Sequence, residues 1–201
     1  MDAPQLGFLA ALAILVAVHL RAEQVGSRWQ WLTKGASSAC FVALGVISRA
    51  AAPMMIALVL AFVGDLLLVP KDARVFRAGI VVFLLAHVAL GAAFVVRGGE
   101  VWIRVGAALI GLAASAFLVG RALLPRVPGA LRGAVVAYMV VISGMVALAA
   151  GAAPAWLIAP ALAFYANDLL VARDRFVEKR FWHRAVGLPL YYGAMAAFAL
   201  S

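Results

Sequence analysis

The sequence predicts an all-α fold: a polytopic membrane bundle of eight transmembrane helices, forming one domain over residues 1–201, with both termini outside the cytoplasm. Three observations predict it. Of 201 residues, 67% are hydrophobic and only 12% charged, with a mean hydropathy of +1.09. A water-soluble domain of this size cannot hide that much apolar surface. Apolar runs close to the roughly 20 residues needed to cross a bilayer recur along the whole chain. Basic residues collect in alternate gaps between those runs. Alternating ten-residue strands are missing, which excludes a β-barrel of the outer-membrane kind.

The elements follow in order. Span one, Gln5–Leu20, is preceded by Asp2 and by no Lys or Arg. It lacks the positive start of a cleaved signal peptide and reads as a retained helix. Span two, Leu32–Ile47, is short, and its Ser37, Ser38 and Gly45 suit close helix packing. Cys40, the one cysteine, packs there and leaves the chain without a disulfide frame or a cysteine metal site. Span three, Ala52–Val69, has Pro53 in its first turn and Pro70 just past its end, and span four is Val75–Val96. Span five, Val101–Leu123, stops before Pro125 and Pro128, and span six is Gly129–Ala150. Span seven, Ala153–Ala172, opens at Pro154, and the short span eight is Ala185–Leu200. Proline near a helix end is tolerated because the missing backbone donor is not needed there.

Charge fixes the orientation. Fourteen of the 17 Lys and Arg residues fall in the odd-numbered loops, and the termini hold none. The positive-inside bias therefore places the odd loops in the cytoplasm. Trp29, Trp31, Trp102, Trp156 and Trp182 fall at span ends, as an aromatic belt requires. The net charge of +9 does not signal nucleic acid, because the basic residues form short clusters rather than a continuous face. Anionic lipid headgroups beside the loops account for them, in a multi-pass protein of the cell's inner (plasma) membrane. The oligomeric state has no signature in the sequence.

Two residues contradict their surroundings. Asp65 and Asp168 lie inside apolar runs, where a carboxylate costs about 2.5–3.5 kcal/mol or more. Neither has a basic residue within its own run. Asp65 stands six residues before Lys71 and Asp168 five before Arg173. At 1.5 Å per residue both lie roughly 8–9 Å inside the cytoplasmic boundary. The segments Ala61-Phe62-Val63-Gly64-Asp65-Leu66-Leu67 and Ala163-Phe164-Tyr165-Ala166-Asn167-Asp168-Leu169-Leu170 rhyme, with one inserted residue. A parallel four-plus-four repeat would bring the acids face to face. Two neighbouring carboxyls in a low dielectric cannot both ionise cheaply, so one proton is shared between a general acid and a general base.

Other polar residues have two readings each. His87 shares a helical face with Phe76, Gly79 and Phe83, and either bonds a substrate or water, or is a satisfied core histidine. Tyr138, Tyr165, Tyr191 and Tyr192 either donate to a substrate or satisfy neighbours. Asn167 either orients Asp168 or bonds a neighbouring helix. His19 and His183 sit at span ends and read as interfacial. The three histidines have no metal-ligand spacing, so no metal and no other cofactor is expected.

Several signals occur together in order: Gly64-Asp65 followed by leucines, Phe76-x-x-Gly79 leading to Phe83-x-x-x-His87, Tyr138, Asn167-Asp168-Leu169-Leu170, Phe176, and a tyrosine-bearing last span. With these the chain resembles the YhhN family of membrane proteins, which includes lysoplasmalogenases, from about Lys34 to the end. It departs from the family pattern at Asn167, often Ser; at Lys34-Gly35, often Lys-Pro; and near Ala194, where a Gln often follows the Tyr. The resemblance implies a hydrolase that cuts the vinyl ether of a lysoplasmalogen, giving a fatty aldehyde and glycerophospho-ethanolamine or -choline. It makes Asp65 and Asp168 the catalytic pair and a lysophospholipid the substrate. Lys34, Lys71, Arg74 and Arg173 become candidate contacts to the lipid phosphate. The same aspartates also suit a proton-coupled transporter, and a non-catalytic lipid-binding protein is a third reading.

Overall fold

Each apolar run becomes a helix, and polar residues mark where the helices start and stop. A computed structural model describes residues 1–70, 72–97 and 101–201. Among them the chain forms eight α-helices: α1 (Ala3–Gln24), α2 (Gln30–Ile47), α3 (Ala52–Leu67), α4 (Ala73–Val96), α5 (Trp102–Leu123), α6 (Gly129–Ala152), α7 (Ile158–Phe176) and α8 (Phe181–Ala199). Single 3-10 turns follow α5 at Leu124–Arg126 and precede α7 at Ala155–Leu157. Asp72 caps α4, its Oδ1 accepting from the backbone N–H groups of Arg74 at 2.8 Å and Val75 at 3.0 Å.

Five helices are long and apolar enough to cross a membrane: α1, α4, α5, α6 and α7, the last two odd-numbered ones counted with their 3-10 turns. The chain is thus a helical membrane protein. α3 is equally apolar but has only 16 residues. α2 and α8, with 18 and 19 residues, are not among the five, and both carry polar groups along their length. Those groups include Lys34, Ser37 and Ser38 on α2, and His183, Tyr191 and Tyr192 on α8.

The main differences from the expected spans are at α1, α7 and α8, and α7 also starts at Ile158 rather than Ala153. Each of the three extends about a turn past its apolar run into polar sequence. The reason is tertiary. His19 and His183, at the span ends, are only 1% exposed. His19 Nδ1 lies 2.9 Å from Thr33 Oγ1, and His183 Nδ1 lies 3.4 Å from Asp174 Oδ1. Arg184 closes this corner, reaching Asp174 at 3.2 Å and Glu23 at 3.6 Å. α1, α7 and α8 are tied together there by charge.

The packing partners follow a two-fold pattern. α1 packs on α2 as α5 does on α6; α2 on α3 as α6 on α7; α3 on α4 as α7 on α8. α2 also packs on α8, and α6 on α4, its counterpart under the same exchange. Among the described residues, the further contacts of α8 with α1 and α3 have no substantial equivalent in the other half. One buried apolar cluster draws on all eight helices, with Phe41, Leu44, Leu58, Phe94, Phe164 and Phe198 fully enclosed. Outside it, Ile103, Ile110, Phe117 and Leu118 of α5 stand exposed, as lipid-facing side chains do. All five tryptophans are exposed and lie at or beside helix ends.

Candidate functional site

α3, α4, α6, α7 and α8 surround a cavity of about 140 Å³, with Lys34 of α2 and Leu123 at the end of α5 completing its wall. Asp65 and Asp168 both line it. Most other wall residues are apolar, among them Ile80, Phe83, Met139, Ile142 and Leu188. On α6 the wall positions Leu131, Val135, Tyr138 and Ile142 recur at helical spacing, so the cavity runs along that helix. Ala134, Val171 and Arg175 line it and are also exposed, so it reaches the surface beside α6 and α7.

Asp65 is 2% exposed and held by three partners. Its Oδ2 accepts from Ser38 Oγ at 2.6 Å and from Tyr191 OH at 2.8 Å. Lys34 Nζ stands 3.2 Å from its Oδ1. One cation and two hydroxyls thus meet one carboxylate. Lys34 and Ser38 are one turn apart on α2, so both reach the same acid. The space beside Asp65 depends on Gly64, where a Cβ would stand 2.7 Å from the ring of Phe83.

Asp168 has a different set of partners. Tyr138 OH donates to its Oδ2 at 3.2 Å, and Asn167 Nδ2 to its Oδ1 at 3.2 Å. His87 Nε2 lies 3.1 Å from Oδ2, at ion-pair distance but off the line of a hydrogen bond. His87 is fully buried, with its ring stacked on Phe164 at 4.3 Å. Its other nitrogen, Nδ1, sits 2.7 Å from the Phe83 carbonyl. The site thus offers two carboxyls, a lysine, a histidine and two phenols against an apolar wall. That set can donate a proton, accept one and stabilise a nearby positive charge.

The YhhN family pattern matches residues 29–201, most of the chain. The chain belongs to the YhhN family. No curated protein and no solved structure matches it. In this YhhN protein, as expected from sequence, Asp65 and Asp168 come to one cavity, but not because their helices end alike. Asp65 is two residues from the end of α3, whereas α7 continues eight residues beyond Asp168. Nor do the two acids share a proton directly: among the described residues no hydrogen bond joins them, because each has partners of its own.

The remaining candidates divide. Tyr138, Tyr191, Asn167 and Lys34 line the cavity. His87 and Tyr192 do not: His87 stands behind Asp168, and Tyr192 OH backs Ser38 at 3.4 Å. Lys34 is turned to Asp65, and Arg173 is paired with Glu178 at 3.2 Å. Lys71 lies outside the described residues. Two residues were not singled out from sequence. Ser38, read as packing, is a direct donor to Asp65, and its position four residues after Lys34 was the available signal. Arg175 lines the cavity and sits 4.1 Å over the Phe76 ring. It lies seven residues after Asp168, on the same helical face.

Proposed function

We propose that the protein is an intramembrane hydrolase that cleaves the vinyl ether of lysoplasmalogens to a fatty aldehyde and glycerophospho-ethanolamine or -choline. The observation that carries this reading is the meeting of Asp65 and Asp168 in one largely apolar cavity. Membership of a family associated with hydrolase activity agrees with it.

The chemistry needs little more than two carboxyls. An acid protonates the β-carbon of the vinyl ether, and the α-carbon becomes an oxocarbenium ion. A base takes a proton from water as its oxygen adds to that carbon. The hemiacetal then collapses: its hydroxyl proton leaves, the C–O bond to glycerol breaks, and the departing oxygen is protonated. The net change is addition of one water, giving aldehyde and alcohol. A carboxylate beside the cation lowers the barrier most where bulk water is excluded.

A lysolipid suits such a wall. The reacting bond would lie at the acids, and the phosphate near Arg175 at the exposed end. The chain would lie along the apolar face between α6 and α7. In this reading all eight helices pass through the inner (plasma) membrane with both termini outside the cytoplasm, and surrounding lipids are the partners. Purified protein given a lyso-vinyl-ether lipid should release fatty aldehyde, and Asp65→Asn or Asp168→Asn should lower the rate by about 10²–10⁴. Undiminished release by either variant would remove the mechanism. Transport of an unchanged solute in vesicles would favour a proton-coupled carrier, and binding without turnover a lipid-binding protein.

A further inference from the structure

We infer that the two acids have unlike duties: Asp168 and His87 together hold one transferable proton, while Asp65 is kept as a carboxylate by Lys34. This rests on the hydrolase reading for its catalytic meaning, but the proton placement stands on geometry alone.

The two-fold packing pattern sets up the comparison. Exchanging the halves takes α3 to α7, α2 to α6 and α8 to α4. Asp65 on α3 takes its partners from α2 (Lys34, Ser38) and α8 (Tyr191). Asp168 on α7 takes its partners from α6 (Tyr138) and α4 (His87), with Asn167 added from its own helix. The two half-sites correspond helix for helix, yet their chemistry differs. In one half the acid meets a lysine amine at ion-pair distance. In the other the acid meets a histidine, whose protonation depends on its contacts.

Those contacts decide the proton count. A carbonyl oxygen only accepts, so the 2.7 Å contact to Phe83 requires His87 Nδ1 to carry a hydrogen. In neutral imidazole Nε2 is then a lone pair. Nε2 would then stand unprotonated 3.1 Å from Asp168 Oδ2, and two electron-rich atoms so close, with no proton on either, repel each other. One extra proton relieves it, either on Nε2 as imidazolium or on Asp168 as the acid. The other titratable or charged groups around the cavity are Tyr138 from α6, Tyr191 from α8, Arg175 from α7, and the Lys34–Asp65 pair. None of them takes the place of that proton, since Tyr138 already donates its hydrogen to Asp168. On the hydrolase reading, Asp168 gives the proton to the β-carbon, and the proton recovered at the end of the cycle restores the pair. Asp65, already ionised, is the base that takes the proton from water. His87 touches no substrate and acts as a positioning residue.

The test reads proton positions without substrate, in the full-length protein in detergent. Nitrogen-15 spectra of labelled histidine, with His87→Asn to assign the signal, report the charge and tautomer of the ring. Infrared difference spectra of the Asp variants report any protonated carboxyl. Two results support the inference. One is an imidazolium at His87 that becomes neutral, with hydrogen on Nδ1, in Asp168→Asn. The other is a neutral ring with hydrogen on Nδ1, together with a carboxylic acid band that is lost in Asp168→Asn and kept in Asp65→Asn. A neutral ring with hydrogen on Nε2, or an acid band that disappears in Asp65→Asn instead, would overturn it. In turnover, His87→Asn should slow aldehyde release by about 10²-fold or more and shift the pH–rate profile. A purely structural histidine would leave the profile's shape unchanged. Should no aldehyde form from any variant or from wild type, the hydrolase reading fails while the spectra still decide the proton.

Discussion

Lys34 Nζ stands 3.2 Å from Asp65 Oδ1, and the two side chains are only 14% and 3% exposed. An ion pair so withdrawn from water is costly to form and costlier to break, because the partner left behind is a charge without compensation. Lys34→Met should therefore destabilise the protein by about 3 kcal/mol or more. Removing both charges, in Lys34→Met with Asp65→Asn, should recover much of that loss but no activity. Unfolding in mixed detergent, followed by circular dichroism, compares the three proteins. Equal stability of Lys34→Met and wild type would mean that the pair is not formed.

The alignment of Asp168 depends on a missing side chain. A Cβ at position 187 would come within 2.9 Å of Asn167 Oδ1, so Gly187→Ala should push the amide off Asp168. Aldehyde release is expected to fall several-fold, and Asn167→Ala should reproduce the effect. Gly193→Ala, on the same helix with nothing near the added carbon, is the control and should behave as wild type.

Arg175 and Arg173 stand two residues apart but should behave differently. Arg175 lines the cavity over Phe76, whereas Arg173 is held by Glu178. Arg175→Ala should raise KM for a lysolipid about tenfold with little change in kcat, the mark of a contact made equally in ground and transition states. Arg173→Ala should change neither. Steady-state kinetics on a lyso-vinyl-ether lipid makes the comparison, and equal effects would place the phosphate elsewhere.

The cap of α4 makes a pH prediction. Backbone N–H groups of Val75 and Arg74 hold the Asp72 carboxyl below its ordinary value of 3.8. A lowered folded-state value means the capping contribution is complete above the ordinary value and is lost as pH falls through the folded one. Asp72→Asn keeps an acceptor at the cap but cannot titrate. Wild type should therefore lose stability relative to Asp72→Asn as pH is lowered below about 4. Thermal unfolding of both proteins at several pH values checks the sign of that difference.

Sequence alone determined the helices, because each apolar run must satisfy its backbone within itself once it is in lipid. It also singled out Asp65 and Asp168, since a carboxylate in such a run stands out whatever surrounds it. Helical spacing was enough to put Phe83 with His87 on α4, and it would have put Ser38 with Lys34 and Arg175 with Asp168. What no local pattern contained was which residue answers which acid. Tyr191 reaches Asp65 across 126 positions of chain, and Tyr138 reaches Asp168 from another helix. His19 and His183 sit at the ends of apolar runs, where sequence suggests an interface, yet packing encloses them. Such pairings depend on how helices rotate and lean against one another, which is decided by the summed contacts of the whole bundle. Only the tertiary structure could give one aspartate a lysine and the other a histidine.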